Sequence, residues 1–249
     1  MAGRPCGLAA VKLGGSLVTV KSRPYTIDWG SLRGAASQLA AHRQRGGRLV
    51  LVHGGGSFGH AEVERLRAEL GSPELPASAA ARVQHAMLRL ATAVAEALIG
   101  AGLPASVHPA HTLCGCGPCS YKPLEADLGE GLTPTTYGDA IPCGGRTLIV
   151  SGDQLVVEAA LSLGADCVLF AIDKPGVIGP RGEVLEEVSP ASALGDAGGP
   201  AAADVTGGLR GKLEWAFRAA ASGVEVRIVG GQLILKALRG EPVGTRVVV

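Results

Sequence analysis

Short unbroken apolar runs alternate along this chain with longer stretches in which apolar residues recur every three or four positions. Leu8–Leu13, Leu49–Val52, Thr147–Val150, Cys167–Ile172 and Val224–Val229 have strand length and strand content. Between them, Trp29–Arg45 puts Leu32, Ala35, Ala36 and Leu39 on one helical face and stops at Gly46-Gly47. Ala61–Leu70 and the alanine-rich Ala77–Ile99 also read as helices. So do Gln154–Leu163, with Leu155, Val156, Ala159, Ala160 and Leu163 together, and Gly208–Ser222, with Leu209, Leu213, Ala216, Phe217 and Ala220. Ser106–Tyr137 keeps no period and reads as loop-rich, and Ile178–Val188 reads as a hairpin with Pro180-Arg181-Gly182 at its tip.

Fully apolar strands separated by helices predict a mostly parallel sheet covered on both faces, a three-layer αβα sandwich. Ligands on such sheets sit beyond the carboxyl ends of the strands, in the loops that lead to helices. The unusual residues fall in those loops. The first run ends in Lys12-Leu13-Gly14-Gly15-Ser16, with Lys21 shortly after, and the second opens into Val52-His53-Gly54-Gly55-Gly56-Ser57-Phe58-Gly59-His60. Ser151-Gly152-Asp153 follows a strand, and Asp204-Val205-Thr206-Gly207-Gly208-Leu209-Arg210-Gly211-Lys212 leads into a helix.

A chain of 249 residues, 47% hydrophobic, is long enough to form one large α/β unit. A net charge of +1 gives no reason to expect nucleic acid or an anionic membrane as partner. No apolar run approaches the roughly 18 residues of a membrane span, and the first residues lack the apolar stretch of a secretory signal. The expectation is a soluble cytoplasmic protein whose partner is a small molecule. Six lysines stand against 17 arginines, so the lysines invite a reason. Lys12, Lys21 and Lys212 adjoin the glycine loops.

Glycines after a strand let the backbone approach phosphate oxygens, and successive N–H groups make an anion-binding hollow. Gly54, Gly56 and Gly59 fit the G-x-G-x-x-G spacing of a dinucleotide loop, which needs an acid about 20 residues on. Glu74 is near that place, but in the Pro-flanked stretch Ser72-Pro73-Glu74-Leu75-Pro76. His60 and Ala61 stand where a P-loop would have Lys and Ser/Thr. Several glycine-rich strand exits coincide, each with a cation or a donor, whereas a dinucleotide site needs one such loop, so the dehydrogenase reading is the poorer one.

Taken together, K-x-G-G-S, H-G-G-G-S-F-G-H, S-G-D and D-V-T-G-G-x-x-x-K resemble the amino-acid-kinase superfamily, and within it the isopentenyl phosphate kinase family, from Lys12 to about Gly231. His60 is the specific part, because acetylglutamate, glutamate and uridylate kinases have the glycine loops without it. Fosfomycin kinases share it. The resemblance implies one amino-acid-kinase domain over residues 1–249, with an acceptor lobe over about 1–150 and a nucleotide lobe over 151–249. It implies ATP and Mg²⁺, a homodimer, and phosphorylation of isopentenyl phosphate to isopentenyl diphosphate. Carried over from the family, Lys12, Gly14, Gly15 and Ser16 hold the ATP phosphates, with Gly56, Asp173, Gly207, Gly208 and Lys212 also on the nucleotide side. Gly55, His60 and Gly152 contact the acceptor, Lys21 stabilises the phosphoryl group in transfer, and no residue is assigned to a metal. A histidine suits a phosphate acceptor, because an imidazolium donor can follow a group whose second ionisation lies near pH 6. Competing readings are a fosfomycin kinase or another small phosphate or phosphonate kinase, and a non-catalytic sensor on the same fold, which would have no use for these lysines together.

Three features stand apart. Ala171-Ile172-Asp173-Lys174-Pro175-Gly176-Val177-Ile178 departs from the family's T-D-V-D-G-V-Y at Lys174-Pro175 and in the lost tyrosine. Val83, Ala86, Met87, Leu90 and Val94 form a stripe that is either core or the wall of an apolar acceptor pocket. Cys114, Cys116 and Cys119 could bind zinc with His108, His111 or Cys143, form a disulfide, or remain free thiols. His53 reads as structural, orienting its loop.

Overall fold

The computed structural model describes residues 4–194 and 207–249. Ten strands are present among them: β1 Leu8–Leu13, β2 Arg48–His53, β3 Ala105–Val107, β4 Thr133–Tyr137, β5 Asp139–Cys143, β6 Arg146–Val150, β7 Cys167–Ile172, β8 Glu187–Val188, β9 Glu225–Gly230 and β10 Thr245–Val247. Eight form one sheet in the order β3-β4-β2-β1-β7-β9-β10-β8. All neighbours in it are parallel except β9 and β10. The chain turns from β1 first to β2 on one side and later to β7 on the other. Such a reversal of strand order leaves a crevice beyond the strand ends.

Side-chain alternation along the strands divides the core into two layers. Ala9, Val11, Leu13, Leu49 and Leu51 pack against the helices Trp29–Arg43 and Ala80–Gly100. Leu8, Ala10, Val50 and Val52 face the helices Gly152–Leu163 and Gly207–Ala221 on the other side. The αβα sandwich is therefore the arrangement that buries both faces of the strands.

The structure departs from the sequence pattern in four places. Ser106–Tyr137 holds β3, β4 and the helices Ala110–Leu113 and Lys122–Gly129. β4 is hidden because Thr133, Thr135 and Thr136 occupy buried positions that hydrophobicity leaves to leucine or valine. The run Thr147–Val150 is β6, but it pairs with β5 in a separate antiparallel hairpin, with Leu148 and Ile149 exposed. The segment Ile178–Val188 closes only through the pair Ile178 and Val184, after which β8 runs parallel to β10. Finally, the helix expected at Ala61 starts at Gly56. Glycine is a poor helix former, yet here packing requires it, since a Cβ on Gly59 would lie 2.8 Å from Met87 Sδ.

All six cysteines are paired, as Cys6–Cys167, Cys114–Cys119 and Cys116–Cys143. This overturns the zinc and free-thiol alternatives. The histidines offered as zinc ligands are engaged elsewhere, His108 Nε2 with Asp127 at 2.7 Å and His111 Nδ1 with Asp139 at 2.6 Å. The Val83–Val94 stripe is core, because all five side chains are buried and none lines the cleft described next.

Candidate active site

The exits of β1, β2 and β7 open into one cleft of about 700 Å³. Parallel pairing puts Leu13 level with both His53 and Ala171, so all three loops start at the same height. The β1 and β2 loops then touch without side chains between them. A Cβ on Gly15 would lie 2.2 Å from the Gly56 nitrogen, and one on Gly56 would lie 2.1 Å from Thr19 Oγ1. Gly56 also has φ +46, in the left-handed region that favours glycine. Among the described residues, the backbone N–H groups of Gly15, Ser16, Gly55 and Gly56 donate to no protein acceptor. All four residues line the cleft, as an anion site requires.

Lys12, Gly14, Gly15, Ser16, Lys21, Gly55, Gly56, His60, Asp173 and Lys212 line this same cleft. Gly152 starts its helix beside it, and a Cβ there would sit 3.3 Å from Lys12 Cε. Gly207 and Gly208 open the helix that brings Leu209 and Lys212 to the cleft. The preceding Asp204-Val205-Thr206 lies outside the described residues. His60 stands exposed in the second turn of the helix Gly56–Leu70. His53 is buried, stacked on Tyr137 at 5.1 Å, with Nδ1 3.2 Å from the Gly54 carbonyl oxygen. Burial pushes its pKa down to about 4, so it is a neutral structural group.

Lys12 shares the strand face of Leu8 and Ala10, and its buried stem ends at the cleft floor. There Asp153 Oδ1 accepts from both Lys12 Nζ at 2.6 Å and Lys212 Nζ at 2.8 Å. Lys212 Nζ also lies 5.2 Å from the centre of the Phe170 ring. With both lysines protonated, the trio carries one net positive charge in a nearly dry place. Burial, and then the ammonium of Lys212, push the Lys12 pKa down to about 7, with Asp153 only partly offsetting them. Burial alone would raise the Asp153 carboxyl, but the two lysines outweigh it and hold the group below its usual range.

The second pair lies at the mouth. Lys21 Nζ is 3.0 Å from Asp173 Oδ2, and Ser16 Oγ donates to Asp173 Oδ1 at 2.8 Å. The Lys21 side chain is 66% exposed, so its ammonium can exchange Asp173 for an incoming anion.

Sequence reasoning missed two cleft residues. Asp153 went without a role, although two lysines converging from distant loops need a shared anion. Lys174 stood only as a departure from a family pattern, yet it lines the cleft. Four of the six lysines thus face it, and among the described residues no arginine does.

Fold and cleft together define an αβα protein equipped to hold phosphate groups. The profile of the amino acid kinase family matches residues 7–230, and the chain belongs to that family. Isopentenyl phosphate kinase of Haloferax volcanii is 38% identical to it, over 96% of this chain and 97% of its own length. The enzyme of that name from Methanothermobacter thermautotrophicus is 33% identical, over 95% and 97%. A solved isopentenyl phosphate kinase superposes with a TM-score of 0.78 at 26% identity, covering 96% of this chain and 99% of that one. A Thermoplasma acidophilum isopentenyl phosphate kinase product complex gives 0.76 at 25%.

Proposed function

We propose that this chain transfers the γ-phosphoryl group of ATP to isopentenyl phosphate, giving isopentenyl diphosphate and ADP by in-line displacement. The observation that carries the reading is the convergence of Lys12, Lys21, His60 and Lys212 on one cleft where two glycine loops meet. The curated relatives of that activity, similar over almost their whole length, support the choice of acceptor.

Phosphoryl transfer asks the protein for alignment and charge neutralisation rather than covalent chemistry. In this reading the Gly14–Ser16 loop, Gly56, Asp173, Gly207, Gly208, Lys12 and Lys212 hold the nucleotide. Gly55, Gly152 and His60 hold the acceptor phosphate. Lys21 meets the charge that develops on the phosphoryl group between them. The acceptor lobe spans about residues 1–150 and the nucleotide lobe 151–249 in a cytoplasmic homodimer, with Lys12, Gly14–Ser16 and Gly56 reaching the nucleotide from the first lobe and Gly152 the acceptor from the second. Asp153 and Asp173 are both engaged by lysines, and no group of three or more His, Cys, Asp or Glu among the described residues could hold a metal. That donor set fits Mg²⁺ arriving on the triphosphate, ligated mostly by phosphate oxygens and water, where it would neutralise charge on the β- and γ-phosphates.

The test is ADP release from Mg-ATP with isopentenyl phosphate, dimethylallyl phosphate, fosfomycin, UMP or N-acetylglutamate as acceptor. Isopentenyl phosphate should give the highest kcat/KM. Preferred turnover of fosfomycin or UMP would replace the proposed acceptor, and binding without turnover of any would favour a sensor.

His60→Ala should raise KM for isopentenyl phosphate by about 10–100-fold, the loss of one charge-assisted hydrogen bond, and leave KM for ATP nearly unchanged. Equal losses on both substrates would remove His60 from the acceptor.

Nucleotide binding should also take up protons. Near pH 8 Lys12 is mostly neutral in the free protein. A triphosphate beside it favours the ammonium and raises its pKa, so up to about one proton enters per nucleotide bound. The uptake should fade below about pH 6, where Lys12 is already charged. Calorimetry at pH 8 in two buffers of different ionisation enthalpy measures it, and Lys12→Met should abolish it. An uptake that persists in that variant belongs to another group.

A further inference from the structure

Between Thr19 and Ile27 the chain leaves the sandwich and returns. The excursion is closed by the pairing of Thr19 with Ile27 and by Val20 N donating to Thr26 O at 2.9 Å. Lys21, Ser22 and Pro24 of this strap line the cleft, whereas Tyr25 does not. One side of the strap meets the β7 exit through Lys21 and Asp173. The other meets the helix that bears His60.

Tyr25 makes that second attachment. Its N–H donates to Ser57 O at 2.9 Å, and Thr26 N donates to Ser57 Oγ at 3.3 Å. The Tyr25 hydroxyl donates to the buried carboxylate of Glu62, which also accepts from Arg82 Nε at 2.7 Å. Its ring meets that of Phe58 edge-on at 5.7 Å, and the Arg89 guanidinium lies 5.6 Å and 5.8 Å from the two ring centres. Tyr25 is also the only non-glycine residue among those described with positive φ, +52. Such a conformation persists only where the surroundings over-determine it. Phenol, ring and backbone all bind one helix, and that helix supplies the acceptor end of the cleft.

We infer that Tyr25, locked to Glu62, is a positioning residue that fixes the strap and thereby sets the place of Lys21 between donor and acceptor. The inference rests on the kinase reading above. Tyr25 does not line the cleft, so its effect should fall on turnover rather than on binding.

Tyr25→Phe keeps the ring and removes only the hydroxyl. It should lower kcat with isopentenyl phosphate about tenfold, since a small misplacement of a catalytic group costs up to about 10²-fold. Both KM values should stay within about twofold. Adding Glu62→Gln should produce little further loss, because the two groups act as one pair. Hydrogen exchange gives a readout independent of turnover. The amides of Val20, Tyr25 and Thr26 should exchange about tenfold faster in Tyr25→Phe, with those of β1 unchanged. Wild-type exchange in the strap would overturn the anchoring, and faster exchange with wild-type kcat would overturn the positioning. A wild-type protein that phosphorylates none of the acceptors would instead sink the kinase reading, leaving the anchoring to be judged by exchange alone.

Discussion

Asp153→Asn should lose at least about 10²-fold in turnover and lower the melting temperature by roughly 6–20 °C. The shape of the side chain is kept, but the anion shared by Lys12 and Lys212 is gone. The Lys212 ammonium is then buried without its counter-charge, beside a Lys12 that already gives up its proton near pH 7. Removing one partner of a buried ion pair costs about 3–5 kcal/mol, and in a chain of this size each kcal/mol moves the melting point by about 2–4 °C. The catalytic loss has a separate cause. Without the carboxylate, Lys12 sheds its proton more readily, and both lysines lose the contact that aims them at the cleft. Thermal melts and steady-state kinetics on one preparation check both effects. A variant as stable and as active as the wild type would mean that Asp153 does not bind the two lysines together.

Lys21→Ala should cut kcat by about 10²–10³-fold, the range for one donor aimed at transition-state charge, and barely change the melting temperature. The contrast with Asp153 follows from exposure. Lys21 is solvent-facing at the mouth of the cleft, and its partner Asp173 keeps the hydroxyl of Ser16. Surface substitutions away from special features stay within about 0.5 kcal/mol. An interaction made chiefly in the transition state lowers kcat and kcat/KM together and spares nucleotide binding. A defect confined to ATP affinity would place Lys21 on the ground-state nucleotide.

Apolar runs and helical spacing determined the αβα class, because burying both faces of a parallel sheet writes the same composition into every strand. They missed β4, where threonines fill buried positions, and the first turn of the His60 helix, where Gly56 answers to Thr19 and Gly59 to Met87 rather than to helix propensity. Local sequence also marked the chemistry of the loops, since close backbone approach to phosphate demands glycine wherever the chain later goes. Only the tertiary structure decided which groups share an environment. Lys12, Asp153 and Lys212 are far apart in sequence, and their charge coupling exists only once β1 and the helices Gly152–Leu163 and Gly207–Ala221 meet. The pairing of Cys116 with Cys143 and the anchoring of Tyr25 on Glu62 arise in the same way. Spacing along a chain fixes local conformation, whereas charge, burial and covalent partnership depend on distances that packing alone sets.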